Sequence, residues 1–146
     1  MKSKLLDSTG QKTFALVFDK GDEAVEGLTE FARAQRLGAA HFTAIGAFSE
    51  VTLGYFDRTR KDYKQMPVAE QVEVLSLIGD IALDSAGEPK VHAHVVVGLA
   101  DGAARGGHLL SGRVWPTLEV ILVESPSFLR KRHDPESGLA LIDPAA

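Results

Sequence analysis

The chain has 146 residues and a mass of 15.7 kDa, with 45% hydrophobic and 25% charged residues, the proportions of one ordinary globular domain rather than a disordered or fibrous chain. It holds no cysteine, which excludes disulfide frameworks and thiol-ligated metals, so any transition metal must be held by His and carboxylate. Its net charge of −4 argues against broad attraction to phosphate backbones, and its longest uncharged apolar run, residues 95–100, is far short of the roughly 20 residues of a spanning helix; with no apolar leader before Asp7, the expected compartment is the cytoplasm.

Residues 12–19 read as a first strand, with Phe14, Leu16 and Phe18 on one face. Gly21 then punctuates the chain, and Asp22 is the expected N-cap of a helix reaching about Leu37. Within it Val25, Leu28, Phe31 and Ala32 recur at helical spacing. Acids lead and bases trail along this segment, as the helix dipole prefers, and Gly38 is its expected stop.

From Ala39 onward short runs rich in Val, Ile, Thr and aromatics alternate with Gly, Pro and Asp, the pattern of strands and turns. Strands are expected at 42–47, 51–57, 61–66, 71–84, 90–99, 107–114 and 117–124. Gly79 is expected to mark a bulge in the long 71–84 run, and Trp115-Pro116 to end a strand. The segment after Pro126 reads as surface turns, its Arg130-Lys131-Arg132 cluster a solvated face balanced by Asp134 and Glu136. One strand, one helix and then many strands predict an α+β fold, a mixed and largely antiparallel sheet with one main helix packed on it. A single domain spans 1–146, its core about 12–124.

Three of the five histidines fall close together, as His92-Ala93-His94 and then His108 after Gly106-Gly107. On a strand, His92 and His94 project from the same face about 7 Å apart. Asp101-Gly102 is a hairpin signal, and pairing centred on Asp101 sets His94 opposite His108. That register requires a three-residue loop or one bulge residue, for which Gly106-Gly107 is a candidate; a two-residue turn sends His108 to the other face.

Three neutral imidazoles with a fourth position open are the donor set of a catalytic zinc site, and nickel, copper, cobalt or iron would also accept them. Glu73 and Glu119 are candidate catalytic carboxylates or outer acceptors for a ring N–H. The plain alternative is a hydrogen-bonded His cluster without an ion. His41 and His133 read as packing or surface residues, and no Gly-X-Ser-X-Gly nucleophile motif occurs.

Glu73-Val74-Leu75-Ser76-Leu77-Ile78-Gly79, His92-Ala93-His94, Asp101-Gly102, Gly106-Gly107-His108-Leu109 and Thr117-Leu118-Glu119-Val120 together resemble the bacterial and archaeal branch of the plant and prokaryote conserved (PPC) domain family. The resemblance covers about residues 14–124. It implies a compact α+β homotrimer with a shared three-His metal or ligand site, and a frequent assignment as a DNA-binding protein. The Arg-Gly-Arg-Pro core of the plant members' AT-hook is missing here, and Glu70-Gln71-Val72 stands where the plant domain has Gly-Arg-Phe before its Glu.

Two functions follow as expectations. One is a regulatory or DNA-associated oligomer whose basic surface would draw on Arg105, Arg113, Arg130, Lys131 and Arg132. The other is a small metal-dependent enzyme acting on a small molecule, in which the ion activates water or polarises a carbonyl.

Overall fold

Among the described residues, 1–145, the computed structural model has nine strands and one helix. They run β1 (Lys2–Asp7), β2 (Thr13–Phe18), α1 (Ala24–Gln35), β3 (Ala39–Asp57), β4 (Asp62–Val68), β5 (Val72–Leu83), β6 (Pro89–Gly98), β7 (Ala104–Glu124), β8 (Arg130–His133) and β9 (Ala140–Asp143). The architecture is sheet-dominated and mostly antiparallel with one helix, in line with the expected class. No helix among the described residues is long and apolar enough to cross a membrane.

β2, β7, β3 and β5 lie side by side, and β6 pairs with both β5 and β7. Strands β7, β3, β5 and β6 therefore close upon themselves, while β1, β4 and β9 each pair on one side only. Inward-facing side chains fill the enclosure: Leu16, Phe18, Phe42, Phe48, Leu77 and Leu122 are all buried. The helix adds Leu28, Phe31 and Ala32 to the same core, with Phe31 edge-on to Phe14 at 5.1 Å.

Several local expectations are corrected. β1 was unforeseen; it is exposed along its length and lacks a buried face to mark it. The N-cap is Glu23, whose carboxylate accepts from Glu26 N at 2.7 Å, while Asp22 accepts from Asp19 N instead. The helix ends at Arg36, which takes the left-handed conformation expected of Gly38 (φ 55°). Residues 42–47 and 51–57 form one strand, as do 107–114 and 117–124, because bulges let a long strand bend and change partners without stopping. β3 pairs with β5 along its first half and with β4 along its second. Trp115-Pro116 thus lies inside β7. The tail also forms a hairpin, β8–β9, tied to β5 by a parallel bridge between Leu83 and Arg130.

Gly79 is no bulge. It pairs in register with Phe42 on one side and Ala93 on the other. Its lack of a side chain answers a packing need, since a β-carbon there would lie 2.4 Å from Phe42 Cζ and 2.5 Å from the His92 carbonyl oxygen. Gly79→Ala is expected to lose about 1–3 kcal/mol of stability through overpacking. Urea denaturation checks this, with Gly10→Ala, which meets no neighbour within 4 Å, as the neutral control.

Candidate metal centre

The hairpin joining β6 to β7 sets the geometry. Leu99 and Ala103 close a loop of residues 100–102: Leu99 N donates to Ala103 O at 2.8 Å, and Gly102 N to Leu99 O at 2.9 Å. Asp101 Oδ1 accepts from Ala103 N, and Gly102 adopts φ 82°, a conformation that costs glycine little. This three-residue loop pairs His94 with His108 and Val95 with Gly107. Gly106 and Gly107 sit in regular ladder positions, so no bulge is needed there.

Alternation along β6 buries Ala93, Val95 and Val97 and turns His92 and His94 outward. The ring centroids of His92, His94 and His108 are 5.2 to 5.5 Å apart in every pairing. One ring nitrogen from each lies within 4.8 Å of the other two, a spacing that could hold a metal ion. The nitrogens of a tetrahedral zinc site are about 3.4 Å apart, a difference that side-chain rotation spans.

Further groups gather at these rings: Asp80 and Tyr63 were not singled out from sequence, and Lys131 was read there only as part of a basic surface cluster. Asp80 faces His92 across the β5–β6 ladder, with Oδ2 3.1 Å from His92 Nδ1. Such a carboxylate fixes Nδ1 as the protonated nitrogen and leaves Nε2 with a free lone pair. Lys131 Nζ lies 3.2 Å from Asp80 Oδ1 as an ion pair, and Lys131 is only 8% exposed. The Arg130-Lys131-Arg132 cluster is therefore not a uniform solvated face: Lys131 turns inward, and Arg132 pairs with Asp143 at 3.0 Å. Tyr63 of β4 stacks on His108 at 4.5 Å.

Glu73 and Glu119 are not brought to the trio. Glu73 pairs with Gly98 near the opposite end of the β5–β6 ladder, and Glu119 sits beside Ile45 far along β7. Both are exposed. Asp80 is the carboxylate that contacts a ring. His41 lies in register with Asp80 and lines the groove beside His92 and His94.

Burial and the neighbouring His92 push the His94 imidazole below its ordinary pKa. Burial, reinforced by His92, His94 and Lys131, lowers His108 to about 4. Burial works to raise the Asp80 carboxyl, but the His92 hydrogen bond and the Lys131 ammonium outweigh it and hold it below the carboxylate norm. His94 and His108 are thus neutral near pH 7 with lone pairs available, the state metal binding requires. His108 Nδ1 is buried without a hydrogen-bond partner. An orphaned imidazole nitrogen among two further imidazoles fits a divalent cation, so the residues present match the group that the sequence pattern implies.

A pH dependence follows. Between about pH 4 and 6.5 the unfolded chain protonates His108 and the folded chain does not, so protons favour unfolding. Stability of the metal-free protein is expected to fall as pH drops through that window and to level off below about 4 as far as this residue is concerned. Urea midpoints at stepped pH after chelation check it, and His108→Asn is expected to flatten the slope.

Comparison with known proteins identifies the family. The model for the Plants and Prokaryotes Conserved (PCC) domain matches residues 6–126. A plant- and prokaryote-conserved protein of Pyrococcus horikoshii is 30% identical, covering 97% of this chain and 99% of its own, with a TM-score of 0.86. A metal-containing protein of Archaeoglobus fulgidus is 34% identical over 95% of this chain and 98% of its own, TM-score 0.84. A protein of Ralstonia eutropha described as a candidate DNA-binding protein is 30% identical over 89% of this chain and 90% of its own, TM-score 0.83. A curated relative, the bifunctional protein GlmU of a Synechococcus strain, is 35% identical over 81% of this chain, yet the match spans 18% of that protein's length. With the family model matched across most of its length, the chain belongs to the Plants and Prokaryotes Conserved domain family, known also as PPC.

Proposed function

We propose that this protein is a divalent-metal protein that offers an open three-His site to a small molecule, with metal-dependent catalysis as its function. Two observations carry the reading: one ring nitrogen from each of His92, His94 and His108 lies within 4.8 Å of the other two, and His108 Nδ1 is buried without a hydrogen-bond partner. The name of the Archaeoglobus relative, a metal-containing protein, supports it. His92, His94 and His108 would hold the ion, zinc or a similar cation. When bound, such an ion supplies Lewis acidity, lowering the pKa of water or polarising a carbonyl.

The chain's own groups have separate parts in this scheme. Asp80 holds the His92 ring in one tautomer, and Lys131 balances the Asp80 charge so that the carboxylate stays ionised while half-buried. Tyr63 backs His108 and limits its rotation. Asp80, rather than Glu73 or Glu119, is the carboxylate that accepts the His92 Nδ1–H hydrogen bond and so orients a would-be ligand.

A regulatory, DNA-associated role is the second reading, supported by relatives described as candidate DNA-binding proteins. The charge arrangement favours it less. Lys131 points inward, Arg132 pairs with Asp143 and Arg113 with Glu50, so these cations do not pool into one phosphate-facing patch.

The proposed assembly is a homotrimer. Its support is an outward sheet face on which Ile45 (62% exposed), Ile78 (55%), Leu75 and Ile121 leave apolar surface in water. The row His94, Ile78, Thr43, Ile121 crosses four strands in register, so this face runs up to the His trio.

Three outcomes are expected. Elemental analysis of protein purified without a nickel column should find about one divalent ion per chain, lost in His92→Ala; a substoichiometric content that does not fall further in that variant would falsify the metal reading. Asp80→Asn should weaken metal affinity about 10- to 100-fold in chelator competition while the fold is retained. Light scattering should give three times the chain mass, falling toward one in Ile45→Asp; a monomeric wild type removes the trimer.

A further inference from the structure

A cleft of about 660 Å³ opens beside the trio, within the size range of small-ligand sites. One part of its lining is polar: His92, His108, the Tyr63 ring with its hydroxyl, and Lys131. Another is apolar and comes from Val91 and from the C-terminal hairpin, through Leu139, Leu141 and Ile142. Leu141 is 47% exposed and Ile142 40%, so the hairpin holds aliphatic side chains against water where the cleft opens. The hairpin lies beyond residue 126, where the match to the family model ends.

The charges within the cleft pair off. Asp80 faces Lys131 at 3.2 Å and Asp84 faces Lys90 at 3.8 Å. Imidazole ligands bring no negative charge, so a divalent cation held by the three rings would keep its full charge in a cleft whose other charged groups are paired. A ligand that completes this site must bring a negative oxygen at one end. It must also bring apolar surface at the other, because water against Leu141 and Ile142 is displaced favourably only by hydrocarbon.

We infer that the cleft binds a small carboxylic acid with a short unbranched aliphatic tail, its carboxylate toward His92 and His108 and its tail along Leu139, Leu141 and Ile142. The inference rests on the metal reading above and deepens it by naming the ligand class. Phosphorylated ligands fit less well, since the cleft's lysines are already engaged by aspartates and no arginine lines it. A neutral alcohol of equal length would fill the apolar part and leave the cation's charge unanswered.

The test uses the full chain reconstituted with zinc, its zinc content measured first. Acetate, butyrate, hexanoate and hexanol are then titrated by calorimetry. Affinity is expected to rise about two- to fourfold per methylene from acetate to hexanoate, the gain of burying each in a partly open apolar cleft. Hexanol should bind at least about tenfold more weakly than hexanoate. Leu141→Ser, at an exposed position of the hairpin, should flatten the chain-length dependence and leave both zinc content and acetate affinity unchanged; Ile142→Ser should do the same. Zinc-loaded protein that binds all three acids alike, or hexanol as tightly as hexanoate, overturns the inference and spares the metal reading. A chain that takes up no zinc overturns both, and the zinc measurement tells the two failures apart.

Discussion

Side chains on a strand alternate, so whether His94 and His108 share a face depends on how many residues turn the chain between them. Three do, because Gly102 occupies a left-handed conformation and Asp101 ties the Ala103 amide into the loop. One residue fewer would send His108 to the other side of the sheet. His92 lies two residues before His94 and inherits the same face. The rest of the site is arranged around this pairing: Asp80 by its register with His92, Tyr63 by its stacking on His108, and Lys131 by its approach to Asp80.

The closed arrangement of β7, β3, β5 and β6 separates two tasks. Inward positions are filled by Leu, Val and Phe and supply the hydrophobic driving force; outward positions on the same strands carry the chemistry. His92 and His94 face out while Ala93 and Val95 between and beside them face in, so these two rings add no polar group to the core. Gly79 marks where the two tasks crowd each other. It lets Phe42 and the His92 carbonyl approach so closely that no side chain fits between them.

Lys131 is the least expected member of the site. A lysine this buried needs a counter-charge, and Asp80 supplies one while also holding His92. The tail hairpin is thus connected to the trio by a chain of charge-assisted contacts. The same hairpin brings aliphatic side chains to the cleft, so one element adds both a charge and an apolar wall to a site whose rings come from elsewhere in the chain.

Much of this was legible in the sequence, and the reason is local. The helix follows from its apolar spacing, the strands from their β-branched runs, and the convergence of His92, His94 and His108 from one turn and the period of a strand. The same arithmetic applied to the turn at Asp84 to Gly87 pairs Asp80 with His92, so that contact too is encoded locally. Glu73 and Glu119 attracted attention as carboxylates near the motifs in sequence, yet the ladders carry them away. Tyr63 and Lys131 could be placed only by the tertiary structure. β4 reaches His108 because β3 changes partners at its bulges, and Lys131 turns inward because a tail segment bridges to Leu83, far from it along the chain. Turn length and side-chain period operate over a few residues and are written in them, whereas contacts between distant segments depend on how the whole sheet closes.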